Sequence, residues 1–286
     1  AVAVNATDAA NLSAQGNLTV GGQAKSLTAS ASETLRFAAT QAETLVASGR
    51  RVNQAGALRV SSSTTVSGGS VNLNNAENDF GGSLALNVSG NVTVRDANDL
   101  LLTGRAETVN VQVGNTLTLG GVQVESGNFS ADTIALNRLN VQDSARLQAS
   151  VITQTQAAET AGTLTLAANE VSLVDAGNDF QGRLVLEGVG AKQRIVARSA
   201  SYAKRFNVTG ITRDKEYDLS RGNDKSKIHY FTANANGEAE SVTIVLSPNC
   251  SARHKQFDFY FEELEIKGRS AQGNQVTKYP IKNVKL

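Results

Sequence analysis

Between residues 1 and 190 the chain alternates apolar and small polar residues in short runs. Asn17-Leu18-Thr19-Val20, Ser83-Leu84-Ala85-Leu86-Asn87-Val88, Asn91-Val92-Thr93-Val94, Thr116-Leu117-Thr118-Leu119 and Thr163-Leu164-Thr165-Leu166 share this pattern. Period-two alternation puts Leu and Val on one side of a strand and Thr or Asn on the other, as in a half-buried strand. Gly16-Asn17, Gly90-Asn91, Gly114-Asn115 and Gly162 precede such runs. Both residue types tolerate positive φ, so they turn the chain at low cost.

The unit repeats. Ser70-Val71-Asn72-Leu73, Asn78-Asp79-Phe80-Gly81-Gly82 and Leu84-Ala85-Leu86 are matched by Glu170-Val171-Ser172-Leu173, Asn178-Asp179-Phe180-Gln181-Gly182 and Leu184-Val185-Leu186, 100 residues further on. That spacing fits five coils of about 20 residues. Short strands at this period, without hairpin signals, predict a right-handed parallel β-helix of roughly eight to ten coils. Phe80 and Phe180 are expected to point inward in equivalent positions, and most Asn and Asp to form turn ladders. Ser67-Gly68-Gly69-Ser70 reads as a loop. Residues 30–50 are noisier: Ser32-Glu33-Thr34 before Leu35, Phe37 and Ala38 reads either as a capped helix or as another coil.

From about Lys192 the pattern coarsens. Tyr202 to Val208, Ile228-Tyr230-Thr232, Val242-Ile244-Leu246, Phe257 to Phe261, Leu264-Glu265-Ile266 and Val284-Lys285-Leu286 alternate bulky and polar residues. Arg221-Gly222-Asn223-Asp224, Asn234-Ala235-Asn236-Gly237 and Gln272-Gly273-Asn274 separate them as turns. The expectation is a small antiparallel β module with little helix. The fold class is thus all-β, a solenoid over residues 1–190 followed by a β-rich module over 191–286.

Charge sharpens the boundary. Residues 1–190 hold 10 Lys+Arg against 16 Asp+Glu, and residues 191–286 hold 17 against 10, so the net +1 hides halves of −6 and +7. Ten of the 14 aromatics, both prolines, both histidines and the one cysteine lie in the second part. Such a shift marks a domain boundary.

The same inventory excludes several functions. The single Cys250 rules out an internal disulfide framework and a multi-cysteine zinc site, and His254 is its only sequence-local base. Calcium-binding Gly-Gly-x-Gly-x-Asp nonapeptides are missing, so no metal or cofactor is expected. A pectate-lyase-like site needs clustered Asp beside a basic residue, and Asp96, Asp99 and Arg95 or Arg105 supply that set only by chance. No apolar run reaches the ~20 residues of a membrane helix. No signal peptide is visible. The chain has no methionine even at position 1, which fits a piece of a longer or processed chain.

The Asn-Asp-Phe-x-Gly blocks and the Gly-Asn-(Leu/Val/Thr)-Thr-(Val/Leu) strands make residues 1–190 resemble the β-helical shaft of filamentous-haemagglutinin-type adhesins. That resemblance implies an exported structural shaft with host-surface or self contacts. The second part resembles something else. Tyr202 through Leu219, Tyr230 through Glu240, and Ile266-Lys267-Gly268-Arg269 through Ile281 are similar to the C-terminal region of type IIA DNA topoisomerase A subunits, of the topoisomerase IV/gyrase-like kind in Bacteroidetes.

The topoisomerase resemblance implies a β-pinwheel whose basic rim bends duplex DNA. The implied contacts are Lys204, Arg205, Arg213, Lys215, Lys267, Arg269, Lys278 and Lys282, each neutralising a phosphate without reading sequence. Any one of them could equally be a solvated edge-strand charge. The stretch is too short for a full pinwheel, and the glycine-rich gyrase box is absent. The family's cleaving tyrosine segment, ATPase site and acidic metal site have no counterpart, so no enzyme is expected. The leading reading is a non-catalytic DNA-binding module joined to a β-helix; the alternative is a structural, adhesive fragment of a surface protein. The first implies the cytoplasm, the second secretion or the cell surface. A natural fusion, an engineered chimera and a joining error in the source sequence all account for the junction.

Overall fold

In the computed structural model the chain is built of β-strands. The structure describes residues 1–173, 175 and 177–180, and beyond them the strand segments 183–188, 194–199, 205–209, 216–221, 227–233, 239–245, 263–270 and 273–279. Residues 2–180 form parallel β-solenoid of about ten turns. By contacts the chain divides into two compact units, Ala1–Ala135 and Leu136–Leu286.

The first unit begins with β1 (Val2–Asn5), β2 (Ala9–Ala14), β3 (Leu18–Gln54), β4 (Leu58–Leu73) and β5 (Asp79–Phe80). It continues through β6 (Ser83–Val88), β7 (Asn91–Asp96), β8 (Leu100–Val113) and β9 (Thr116–Ser130). Several strands are long because the chain stays extended around the corners: β3 runs for 37 residues. Ala9 pairs in parallel with Ser26, Thr40 with Leu58, Val66 with Leu86 and Leu100 with Leu117, so a coil takes 17–20 residues here. Most coils are therefore shorter than the 20 residues expected. The 100-residue spacing of the two Asn-Asp-Phe blocks repeats a local structure rather than five equal coils.

The core is built of stacked columns. Val52, Val71, Val92 and Val109 follow one another in register. Leu73, Val94, Val111 and Phe129 form a second column, and Leu45, Thr64, Leu84, Leu102 and Leu119 a third. All of these residues are buried. A fully buried Leu or Val contributes about 1.5–3 kcal/mol. No single coil can bury its own inward row, so the stack of coils makes the core.

Phe80 and Phe180 are both buried, as expected from the alternation. The noisy stretch at 30–50 is strand: Leu35 and Phe37 are buried and lie within β3. Residues 67–70 are likewise part of β4 and not a loop. Corners are relieved by left-handed backbone. Gly104 has φ +97°, and a Cβ there would run into the carbonyl oxygen of Leu86 on the preceding coil. Arg138, in β10 (Thr133–Gln148), takes φ 70° without that freedom.

The second unit carries β11 (Val151–Thr160), β12 (Thr163–Ala168), β13 (Glu170–Leu173), β14 (Asp179–Phe180) and β15 (Arg183–Gly188). Ser144 pairs in parallel with Thr163, Glu159 with Asp179 and Thr163 with Arg183. Next come β16 (Arg194–Ser199), β17 (Arg205–Thr209), β18 (Glu216–Arg221), β19 (Lys227–Ala233), β20 (Ala239–Val245), β21 (Glu263–Ser270) and β22 (Gly273–Tyr279). Here the structure differs from the antiparallel expectation. β16 pairs in parallel with β13 and β18, and β17 with β15 and β21. Among the described residues after 190, antiparallel pairing is confined to β19–β20 and β21–β22. Alternation marks a strand but carries no sign of its direction. The expected turns at 221–224 and 234–237 and residue 272 lie wholly or mostly outside the described residues, and Gly273 and Asn274 belong to β22.

Candidate nucleic-acid interface

Of the eight cations implied by resemblance, four fall in described strands. Arg205 opens β17, where its backbone pairs with Arg183 on one side and Glu263 on the other. Lys267 and Arg269 stand two positions apart on β21, paired with Val276 and Asn274 of β22. Lys278 on β22 is opposite Glu265. The β21–β22 hairpin thus brings Lys267, Arg269 and Lys278 onto two adjacent strands, with Glu263 and Glu265 interleaved. Lys204, Arg213, Lys215 and Lys282 lie outside the described residues, as do Cys250 and His254.

In the chance pectate-lyase-like set both carboxylates accept from backbone N–H groups. Asp96 is 4% exposed; its Oδ2 accepts from Phe80 N at 2.7 Å and its Oδ1 from Asn98 N at 2.8 Å. Asp99 Oδ1 accepts from Thr116 N at 2.8 Å on the next coil. Arg105 Nε donates to Asn87 Oδ1 at 3.0 Å. Burial pushes the Asp96 carboxyl above its ordinary value. The two N–H donors pull it back, and the nearby Asp79 and Asp99 charges raise it further. Asp96 and Asp99 thus tie neighbouring coils together through Phe80 N and Thr116 N. Among the described residues no group of three His, Cys, Asp or Glu is placed to hold a metal. Among the described residues of the first unit, Asn87, Arg105, Glu107 and Glu125 line one open groove, and Asp8, Lys25 and Glu43 line another. Among the described residues no helix is long and apolar enough to cross a membrane.

The most organised polar group is one that sequence reading assigned only to turns. Asn78 is fully buried, and its Oδ1 accepts from Leu58 N at 2.9 Å and Gln54 Nε2 at 2.8 Å. Its Nδ2 donates to Gln54 Oε1, Leu73 O and Arg95 O at 3.0–3.1 Å. Asn178 repeats the arrangement with Gln154, Ala158 N and Leu173 O. The available signal was the equal spacing of 24 residues from Gln to Asn in both blocks. The role is structural.

Lys267, Arg269 and Lys278 stand on the β21–β22 hairpin, and the decisive comparison concerns that part of the chain. Residues 195–286 match the family Topoisomerase C-terminal domain, Bacteroidota. Residues 24–87 and 120–187 match Repeats of unknown function (DUF5649). No curated protein matches the chain, and no solved structure does either. The topoisomerase likeness read from residues 200–286 is thereby supported over nearly the same stretch. The repeat likeness holds for the first part, under a description that carries no haemagglutinin name and no activity. The matches are to a topoisomerase C-terminal domain and to repeats of unknown function.

Proposed function

We propose that residues 191–286 form a non-catalytic module that binds duplex DNA through its phosphates, joined near residue 190 to a solenoid of repeats. The observation that carries this reading is the topoisomerase C-terminal match over residues 195–286, together with 17 Lys+Arg against 10 Asp+Glu in residues 191–286. The contacts assigned are Lys204, Arg205, Arg213, Lys215, Lys267, Arg269, Lys278 and Lys282. The hairpins β19–β20 and β21–β22 are the kind of element a pinwheel blade uses. The solenoid takes the right hand that parallel crossovers overwhelmingly prefer.

Cations that neutralise phosphates release counterions, so the logarithm of affinity falls with the logarithm of salt by about 0.9 per phosphate. Roughly four to six contacts give a micromolar or weaker affinity at physiological salt. The test is duplex binding by the whole chain across a salt series, with random and fixed sequences. Lys267→Glu with Arg269→Glu should weaken all sequences alike and flatten the salt slope by about 2. Absence of binding at about 50 mM salt, where phosphate contacts are strongest, rejects the reading in favour of a purely structural role.

A further inference from the structure

The register of the last repeat coils continues past residue 190. Leu164, Leu184, Phe206 and Leu264 follow one another in parallel register, and Leu166, Leu186, Val208 and Ile266 do the same two positions on. Val171, Ile195 and Tyr217 form a third row, and Leu173, Ala197 and Leu219 a fourth. At the repeat end, Leu164, Leu166, Val171 and Leu173 are fully buried. The inward rows of the solenoid therefore lead, position for position, to apolar residues of the topoisomerase-like stretch. The rows between them are mixed. Glu170, Arg194 and Glu216 alternate in charge, and Ser172, Val196 and Asp218 form another such row. A slip of one residue would set every apolar row against one of these.

The boundary between the compact units falls between Ala135 and Leu136, not near residue 190, so the last repeat coils and the topoisomerase-like stretch share one unit. The chain advances 20 residues from Thr163 to Arg183 and 22 from Arg183 to Arg205. It advances 24 from Glu170 to Arg194 and 22 from Arg194 to Glu216. The coil step is thus kept, a little lengthened, across the change of family. The last coil of a solenoid is an open edge of unpaired N–H and C=O groups with a cut core behind it, and it needs a cap. β16 lies on that edge along β13, and β17 along β15. Taken off the edge, β16 and β18 are a two-stranded pair, and a sheet of that size is marginal in water.

We infer that the last repeat coil, β12 to β15, is the docking edge of residues 195–286, and that this segment takes its fold from that edge. The repeats then have a role of their own: they are the template on which the topoisomerase-like segment is ordered. The dependence runs one way, because the coils before the edge are already stacked on their own neighbours. It holds whether or not the cations meet DNA, since it rests on strand register alone.

Hydrogen exchange of the whole chain, without DNA, read by mass spectrometry strand by strand, tests it. Leu166→Ala truncates a fully buried residue of the docking coil and should speed exchange in 163–168 by about 30-fold or more. The strands at 194–199, 205–209 and 216–221 should speed up with it by a similar factor. Leu102→Ala, at an equally buried position of the first unit, should loosen 100–113 and leave those three strands at their wild-type rates. Strands after residue 190 that keep wild-type rates in Leu166→Ala overturn the inference. So do strands there that exchange in the wild type as fast as an unfolded peptide, or that respond to Leu102→Ala as strongly as to Leu166→Ala. Should Leu166→Ala not fold, Leu166→Val must give the same pattern at smaller amplitude.

Discussion

The side-chain amides of Gln54 and Asn78 face each other and exchange two hydrogen bonds, at 2.8 and 3.0 Å, across 24 residues of chain. Asn78 also takes the Leu58 N–H, so one buried side chain ties the start of β4 to the coil that follows it. Gln154 and Asn178 are joined in the same way at 2.7 and 2.9 Å. A buried amide is tolerated only when its donors and acceptors are met, and here they are.

Asn78→Ala removes that hub and strands the Leu58 N–H and the carbonyls of Leu73 and Arg95 in the core. Each unmet buried group costs about 1–3 kcal/mol, so the variant should lose about 3 kcal/mol or more. Urea unfolding followed by circular dichroism measures it. A loss under about 1 kcal/mol would show that water replaces the amide.

Thr64 and Thr160 are buried with hydroxyls that have no hydrogen-bond partner. Thr64 interrupts the leucine column of Leu45, Leu84, Leu102 and Leu119. The residue 100 positions from Thr64 is Leu164, and the one 100 positions from Thr160 is Val60. Each block already holds the apolar solution to the other's defect. Thr64→Val and Thr160→Val should each stabilise by about 1 kcal/mol, read as a higher denaturation midpoint, since both keep the shape and remove an unmet polar group.

Gly104→Ala should be costly. Its φ of +97° is strained for any side chain, and the new Cβ meets the Leu86 carbonyl oxygen. A loss of about 2–3 kcal/mol is expected in calorimetry. Arg138→Gly, at φ 70°, should change stability by about 0.5 kcal/mol or less. There the relief of left-handed strain and the added freedom of the unfolded glycine nearly cancel.

Asp96 makes the stability of the first unit depend on pH. Burial, reinforced by Asp79 and Asp99, raises its folded-state value above that of the unfolded chain, despite the two N–H donors. The folded state therefore holds the proton more tightly. This group's contribution is greatest below the unfolded value of about 3.9 and is lost as pH rises through the raised value. Stability attributable to Asp96 should increase on acidification from neutral pH. The difference in unfolding free energy between wild type and Asp96→Asn, measured from pH 7.5 to 4, should shift toward the wild type as pH falls. A constant difference would show that Asp96 does not titrate in that range.

The alternation of Leu and Val with Thr, Ser and Asn was sufficient, without coordinates, to establish strands, coils and an inward Phe80 and Phe180. Side-chain direction in a strand is a local property with period two, and Gly and Asn turns are equally local. The acidic-to-basic change near residue 190 and the topoisomerase-like segments were also readable, since neither depends on what touches what. Which coil residue stacks on which was decided only by the tertiary structure. The register of Thr64 between Leu45 and Leu84, the burial of Asn78 against Gln54 and the bond from the Phe80 N–H to Asp96 all join residues 16 or more positions apart. So does the direction of strands such as β16 and β18, which alternate like antiparallel strands but pair in parallel. A period-two pattern is unchanged when a neighbouring strand reverses or slips by two, and only the packing of whole coils selects one arrangement.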